Sequence, residues 1–535
     1  MADATMDSAV ARPARVPQAA APAADAMPIR RVLAFVAMVF GMFMAFVDIQ
    51  IVSASLSEIQ AGLSASADEI SWVQTAYLIA EIVMIPLSGT LSRILSTRVL
   101  FAVSAAGFTF ASFLASTATD MNQMIVYRAL QGFIGGGMIP SVFAAAFTIF
   151  PPSRRPMISA IVGLVATLAP TIGPTAGGYL SNTFSWHWLF LVNVVPGIAV
   201  TIATWLLIDF DKPELSLMKK FDWWGLAAMA AFLGSLEYVL EEGPNHDWLN
   251  DQNVMTFSIV MVIGAVVFFW RALRVEFPVV DLGAFTNMNF SFGSVFSFVL
   301  GIGLYGLTYL FPLYLGRIRG YDSLMIGETL FVSGLAMFVT APVAGALSRK
   351  MDLRLMLMIG FMGVAASAWT TTQMTSDWQF DELLVPQILR GVFMMFCMVP
   401  INTLALGTLS PQRLRSASGL FNLTRNLGGA VGLAIINTLL INRTALHEQR
   451  LAEHINWGNG TVVDQLNNMA ANDALHGLDS VTAATRQLLN MVSQQAYVLS
   501  FIDVFVLLAV LFAGLGLFAL VMKKPAPMAA GAGGH

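Results

Sequence analysis

The sequence predicts an all-α polytopic membrane protein of about fourteen spans. Three observations predict it: composition, apolar runs of spanning length, and a one-sided distribution of basic residues. The chain has 535 residues, of which 57% are hydrophobic and only 11% charged, and its mean hydropathy is +0.71. A soluble chain carries about a quarter charged residues, so lipid is the solvent for much of this one. The net charge of −4 and the lack of a long basic run argue against a nucleic-acid partner. The single cysteine, Cys397, excludes an internal disulfide, and no Cys/His spacing suits a metal.

Apolar stretches near 20 residues long cross a bilayer as helices, because only helices satisfy their own backbone there. The runs fall near 32–56, 70–92, 99–117, 121–149, 157–180, 188–208, 223–242, 254–273, 290–315, 325–347, 353–372, 383–410, 414–440 and 498–522. With the N-terminus inside, the inner segments hold twenty Lys and Arg, from Arg12 and Arg15 to Lys523 and Lys524, whereas the outer segments hold five. Arg128, Arg390 and Arg425 fall within spans. This asymmetry sets the orientation, with both termini cytoplasmic. Residues 1–29, rich in Ala and Pro, read as a disordered tail rather than a signal peptide, and 523–535 as a second tail.

Short echoes recur in the same order in both halves. Gly89-Thr-Leu-Ser-Arg93 returns as Gly345-Ala-Leu-Ser-Arg349, and Leu130-Gln-Gly132 as Leu389-Arg-Gly391. Gly173-Pro-Thr-Ala-Gly177 aligns with Gly429-Ala-Val-Gly432. The order implies duplication: six-helix bundles over 30–209 and 285–522, an inserted helix pair over 210–284, and a long outer loop over 441–497. Two such halves form the architecture of many secondary transporters, with the substrate site between them.

Charged groups within spans are costly and face a partner or a wet cavity. Asp48 in span 1, Glu81 in span 2 and Arg128 in span 4 lie at depths of roughly 10 to 15 Å from the outer face, by helical rise. They are expected to share a polar chamber, where moving the Arg would switch a carboxylate between proton-holding and proton-releasing states. A static ion pair locking spans 1 and 4 is the structural alternative. Glu81 has a second reading as a selector of cationic substrates. Arg390 and Arg425 either attract anionic substrate groups or bond backbone carbonyls, and with Gln131 they are candidates for the substrate cavity. Asp503 is placed near the outer end of span 14. Pro170, Gly173, Pro174, Gly177 and Gly178 read as a tight-packing hinge in span 5. Gly135-Gly136-Gly137 is no phosphate loop, since no Lys-Ser/Thr follows it.

Together these residues resemble the major facilitator superfamily, in particular its fourteen-span drug:proton antiporters, over about residues 30–522. Ala45-Phe-Val-Asp48 is similar to the first-span motif. Tyr127-Arg128-Ala-Leu-Gln131-Gly132 is similar to the fourth-span motif, whose Arg the resemblance implicates in proton transfer. Ala169-Pro-Thr-Ile-Gly173-Pro174-Thr-Ala-Gly177-Gly178 resembles the antiporter motif of span 5, and Trp186-His-Trp188 through Asn193 to Gly197 the signature opening span 6. Asp222-Trp-Trp-Gly225 suits the inserted pair, and segment 441–497 with Gln494-Gln-Ala496 resembles the EmrB-type branch.

The resemblance implies a major facilitator fold in a Gram-negative inner membrane and proton-driven export of hydrophobic or amphipathic compounds. It implies a periplasmic membrane-fusion adaptor and an outer-membrane channel as partners, no cofactor, and protons as the coupling ion. Segment 441–497 would be the adaptor-docking surface or a solvated lid. A narrow-range exporter of a metabolite, fatty acid or aromatic compound on the same fold is the alternative. An enzyme would need a nucleophile–base or metal constellation, and none is legible. In one place the sequence departs from the family: Arg93 and Ser96 stand where the loop between spans 2 and 3 usually has an Asp and a second Gly. The usual Asp-mediated cytoplasmic latch is therefore not expected to carry over.

Overall fold

The computed structural model describes residues 28–521 apart from 152, 410, 456, 457, 459 and 476–479. The expected tails, except residues 28 and 29, lie outside the described residues. Helices dominate: α1 (Ile29–Ala54), α2 (Trp72–Leu95), α3 (Thr97–Ser116), α4 (Met121–Gly135), α5 (Met138–Ile149), α6 (Arg155–Thr183) and α7 (Val194–Leu207). Then follow α8 (Trp223–Glu242) and α9 (Gln252–Arg274). The second half holds α10 (Met288–Arg317), α11 (Ser323–Leu347), α12 (Leu353–Thr371), α13 (Phe380–Gly407), α14 (Pro411–Glu453), α15 (Gly460–Leu475) and α16 (Ser480–Phe518). Among the described residues, thirteen helical segments are long and apolar enough to cross a membrane, α4 and α5 counting as one. The 29-residue α6 occupies the position of the remaining expected span.

Helix starts follow local chemistry. Asp120, Asp222, Asp251, Asn287, Asp322 and Asp352 each accept a bond from a backbone N–H in the first turn of the helix that follows. The fourth span differs from the uninterrupted helix expected over 121–149. It breaks into α4 and α5 at Gly136 and Gly137, where small residues let α2 come close. A Cβ on Gly132 would lie 2.2 Å from the Tyr77 carbonyl oxygen, and one on Gly136 3.1 Å from that of Glu81. No residue larger than glycine fits at Gly132 without separating the helices.

The repeated motifs make equivalent contacts. Gly132 of α4 presses on the α2 backbone at Tyr77, as Gly391 of α13 presses on the α11 backbone at Ser333. Gly89 of α2 lies against Ser416 of α14, and Gly345 of α11 against Met157 of α6. The two groups of helices therefore meet along two seams, α2 with α14 and α6 with α11. The inserted pair sits beside the first seam. α8 packs on α2 and α14, while α9 turns Val262, Ile263, Val266 and Leu273 outward. Arg271 of α9 donates to Asp222 at the start of α8 at 2.6 Å, and Thr75 of α2 donates to Glu242 at 3.3 Å.

The described residues of segment 441–497, expected to form a long outer loop, are mostly helical. α14 and α16 run 43 and 39 residues, about 64 and 58 Å at helical rise, far beyond an apolar core of about 30 Å. Their extensions pair through Thr444–Ser500 at 3.0 Å, through His447–Asp503 at 2.9 Å, and through Ser493 and Glu448. Arg443 also approaches Asp503, at 3.6 Å, so Asp503 ties the two extensions together.

At the arginine-rich end of the bundle, the missing loop Asp has a counterpart from elsewhere in the chain. Asp211, just after α7, accepts from the Thr97 amide and hydroxyl at 2.7 Å each and from Arg415 of α14 at 3.3 Å. Its side chain is largely buried. Ser96 holds the turn before α3 at φ +78°, a backbone region that glycine occupies at less cost.

Candidate functional site: a buried ion pair beside an inter-bundle cavity

Asp48 and Arg128 are fully buried and touch: Arg128 Nη1 donates to Asp48 Oδ2 at 2.7 Å. The same Nη1 donates to Gln131 Oε1 at 2.7 Å, and Arg128 Nε to the Val73 carbonyl at 3.0 Å. Gln131 and Asn193 donate to Asp48 Oδ1 at 3.0 and 2.7 Å. Asn193 in turn donates to Ser112, which donates to the Phe190 carbonyl. The guanidinium carbon lies 4.3 Å from the centre of the Tyr77 ring. A buried pair survives in low dielectric only when its remaining hydrogen-bonding groups are satisfied. Here both carboxylate oxygens have partners from α4, and Oδ1 has another at the start of α7. One Arg128 nitrogen, Nη2, has none.

A cavity of about 390 Å³ opens next to this network, between the two groups of helices. Phe46, Ile49 and Gln50 of α1, Gln74 and Glu81 of α2, Pro174 of α6, Tyr305 and Tyr309 of α10, and Arg425 and Asn426 of α14 line it. Val73, Tyr77 and Glu81 recur every four residues along one face of α2. That face bonds Arg128 with its backbone, covers it with a ring and then presents a carboxylate to the cavity.

The structure thus separates what the sequence grouped. Glu81 does not share an enclosed chamber with Asp48 and Arg128: it lines the cavity, its Oε1 has no hydrogen-bond partner, and the ion pair lies behind the wall. Gln131 bonds within the ion-pair network rather than lining the cavity. Arg425 lines the cavity and bonds Asn422, with its guanidinium carbon 4.8 Å from the Phe143 ring centre. Arg390 sits one layer back and donates to the Thr308 hydroxyl and, at 3.5 Å, to the Leu307 carbonyl. Gly173 and Gly177 press α6 onto α1, where a Cβ would lie 2.3 Å from Gln50 Cβ and 2.8 Å from the Ile51 carbonyl. Gly178 is buried beside them. The side chain of Pro170 lies outside the described residues.

Sequence reasoning missed four participants. Asn193 stood inside the span-6 signature without a role, and Ser112 carries no signature at all. Glu237 and Glu241, which also line the cavity, sit near the end of the span expected over 223–242 and were given no role. Their signal was a four-residue spacing within a span.

A chain of spanning helices in two equivalent groups around a central cavity, with a buried ion pair beside it, defines a secondary transporter. Residues 38–433 match the family model of the Major Facilitator Superfamily, and the chain belongs to that superfamily. It is 41% identical over 477 residues to the colistin resistance protein EmrB of Acinetobacter baumannii, covering 89% of this chain and 93% of that one. It is 30% identical to the fatty acid resistance protein FarB of Neisseria gonorrhoeae, covering 94% and 98%. It is 28% identical to the multidrug export protein EmrB of Escherichia coli K12, covering 94% and 97%. It is therefore a transporter of the EmrB type and not an enzyme. Among solved structures it resembles the human organic anion transporter MFSD10, with a TM-score of 0.56 at 12% identity, covering 91% of this chain and all of that one. That likeness supports the fold alone.

Proposed function

We propose that this protein exports hydrophobic and amphipathic toxic compounds in exchange for protons across a bacterial inner membrane, with both termini cytoplasmic. The observation that carries this reading is the Asp48–Arg128 pair beside the inter-bundle cavity. A carboxylate held by one guanidinium and two amides exchanges its counter-charge for a proton when the guanidinium moves. Asp48 bonds α4 and the start of α7, so a substrate that shifts those helices breaks the bonds that keep it ionised. The EmrB relatives, a colistin resistance protein and a multidrug export protein, support drugs as the cargo.

A second reading, a narrow-range exporter of fatty-acid-like anions, rests on Arg425, whose Nη1 is unpartnered and whose side chain lines the cavity. We also propose that the paired extensions of α14 and α16 dock a periplasmic membrane-fusion adaptor leading to an outer-membrane channel. Photo-crosslinkers at Val481 and Leu489, which are exposed, test it: a specific adduct with the adaptor is expected, and its absence at both positions contradicts docking there. The export reading is tested by efflux from cells expressing this chain with its adaptor. Drug or dye efflux that appears with the protein and stops when a protonophore collapses the gradient is expected. Efflux that continues unchanged contradicts it.

A further inference from the structure

The inserted helix pair divides its labour. α9 faces outward, but α8 enters the transport cavity with two carboxylates, Glu237 and Glu241, spaced four residues apart on one face. The adjacent face of α8 is anchored to α2: Glu242 accepts from Thr75 at 3.3 Å, and Tyr238 lies 5.6 Å from the ring of Trp72. The loop after α8 is tied to the second half through Trp248, which donates to Thr438 at 3.2 Å. The carboxylates are therefore held in place.

Glu81 of α2 meets the same cavity. Glu81 and Glu237 are each at least nine-tenths buried, and one oxygen of each, Oε1 and Oε2 respectively, has no hydrogen-bond partner. Such oxygens are costly unless a cation or donor completes them. Against the three carboxylates the cavity wall sets one guanidinium, that of Arg425, one nitrogen of which bonds Asn422 while Nη1 has no partner. Among the described residues no three acidic, His or Cys groups converge as a metal would require. The charge is spread over a wall that also carries Tyr305, Tyr309 and apolar side chains. Acids dispersed among aromatic faces, ionising as a cation pairs with them, suit a bulky organic cation rather than a small ion.

We propose that α8 is a specificity element, and that Glu237 and Glu241, with Glu81, receive the charged group of an amphipathic organic cation. The proposal rests on the cavity being the substrate chamber. It assigns these carboxylates to cargo, and leaves Asp48, whose oxygens are both satisfied, to the proton.

The test is equilibrium binding to the purified full chain of tetraphenylphosphonium as cation and deoxycholate as anion. Glu237→Gln with Glu241→Gln is expected to weaken tetraphenylphosphonium binding by about tenfold or more. Deoxycholate binding is expected to hold or to tighten, because losing two carboxylates lessens the repulsion of an anion in the same cavity. Glu237→Asp with Glu241→Asp keeps the charge and is expected to recover most of the cation affinity, which separates charge from folding. Unchanged tetraphenylphosphonium binding in the Gln variant overturns the proposal. So does an equal loss for both probes that the Asp variant fails to repair, or a wild-type chain that binds no tetraphenylphosphonium. Protonophore-sensitive dye efflux by the wild-type chain reports separately on export, so failure of the cation site leaves that reading standing.

Discussion

Asp48 is bonded by three side chains, those of Arg128, Gln131 and Asn193, and this decides how its neighbours respond to substitution. Arg128→Ala leaves a buried carboxylate without its counter-charge, a change that costs about 3–5 kcal/mol. A clear fall in thermal stability in detergent is expected, and an unchanged melting temperature contradicts the ion pair. Asp48→Asn leaves the buried Arg128 without its counter-charge but keeps one oxygen to accept from it, so a smaller fall in stability than for Arg128→Ala is expected, with the protein still folded. A third residue tests backbone strain. Ser96 sits at φ +78°, so Ser96→Gly is expected to stabilise the protein by about 1 kcal/mol, offset in part by the lost cap to the Val99 amide; a rise in melting temperature checks it. Asp48 and Arg128 were legible in the sequence because a charge inside an apolar run is expensive and therefore conspicuous. Asn193 and Ser112 were not, since uncharged polar groups are common in spans and only three-dimensional proximity gives them a role.

At the scale of elements, Asp211 joins three parts of the chain: the segment after α7, the first turn of α3 and the start of α14. The loop between α2 and α3 carries Arg93 and Ser96 where such a latch usually has its Asp and second Gly, so the sequence predicts no latch there. The acid that performs the contact lies more than a hundred residues away, and no local pattern marks it. Asp211→Ala is expected to loosen the α2–α14 seam at its arginine-rich end. Spin labels on α2 and α14 at that end would report a longer or broader distance distribution, and an unchanged distribution contradicts the latch. Segment 441–497 was hidden for a different reason. Its polar composition carries no spanning signal, yet two helices continue through most of it because they bond each other.

The whole molecule is two groups of helices that meet along two seams, each closed by a glycine against the start of a helix: Gly89 on Ser416 and Gly345 on Met157. The echoes that carry these glycines were legible, and they mark equivalent contacts. What the echoes could not convey is that the inserted pair, outside the duplicated pattern, brings acids into the cavity between the halves. If the halves rock about the cavity, the α2–α14 seam must part. A thiol cross-linker between cysteines placed on α2 and α14 beside this seam, with Gly89 left as glycine because its Cβ would meet the Ser416 backbone, is expected to arrest efflux; transport that continues in the cross-linked protein contradicts a moving seam. Coupling of export to the proton gradient through Asp48, as proposed above, is read out by proteoliposomes with an imposed pH gradient. The wild-type chain is expected to concentrate a fluorescent substrate against its gradient. Asp48→Asn is expected to equilibrate the substrate without concentrating it. Concentration by Asp48→Asn equal to that of the wild type rules out coupling through Asp48.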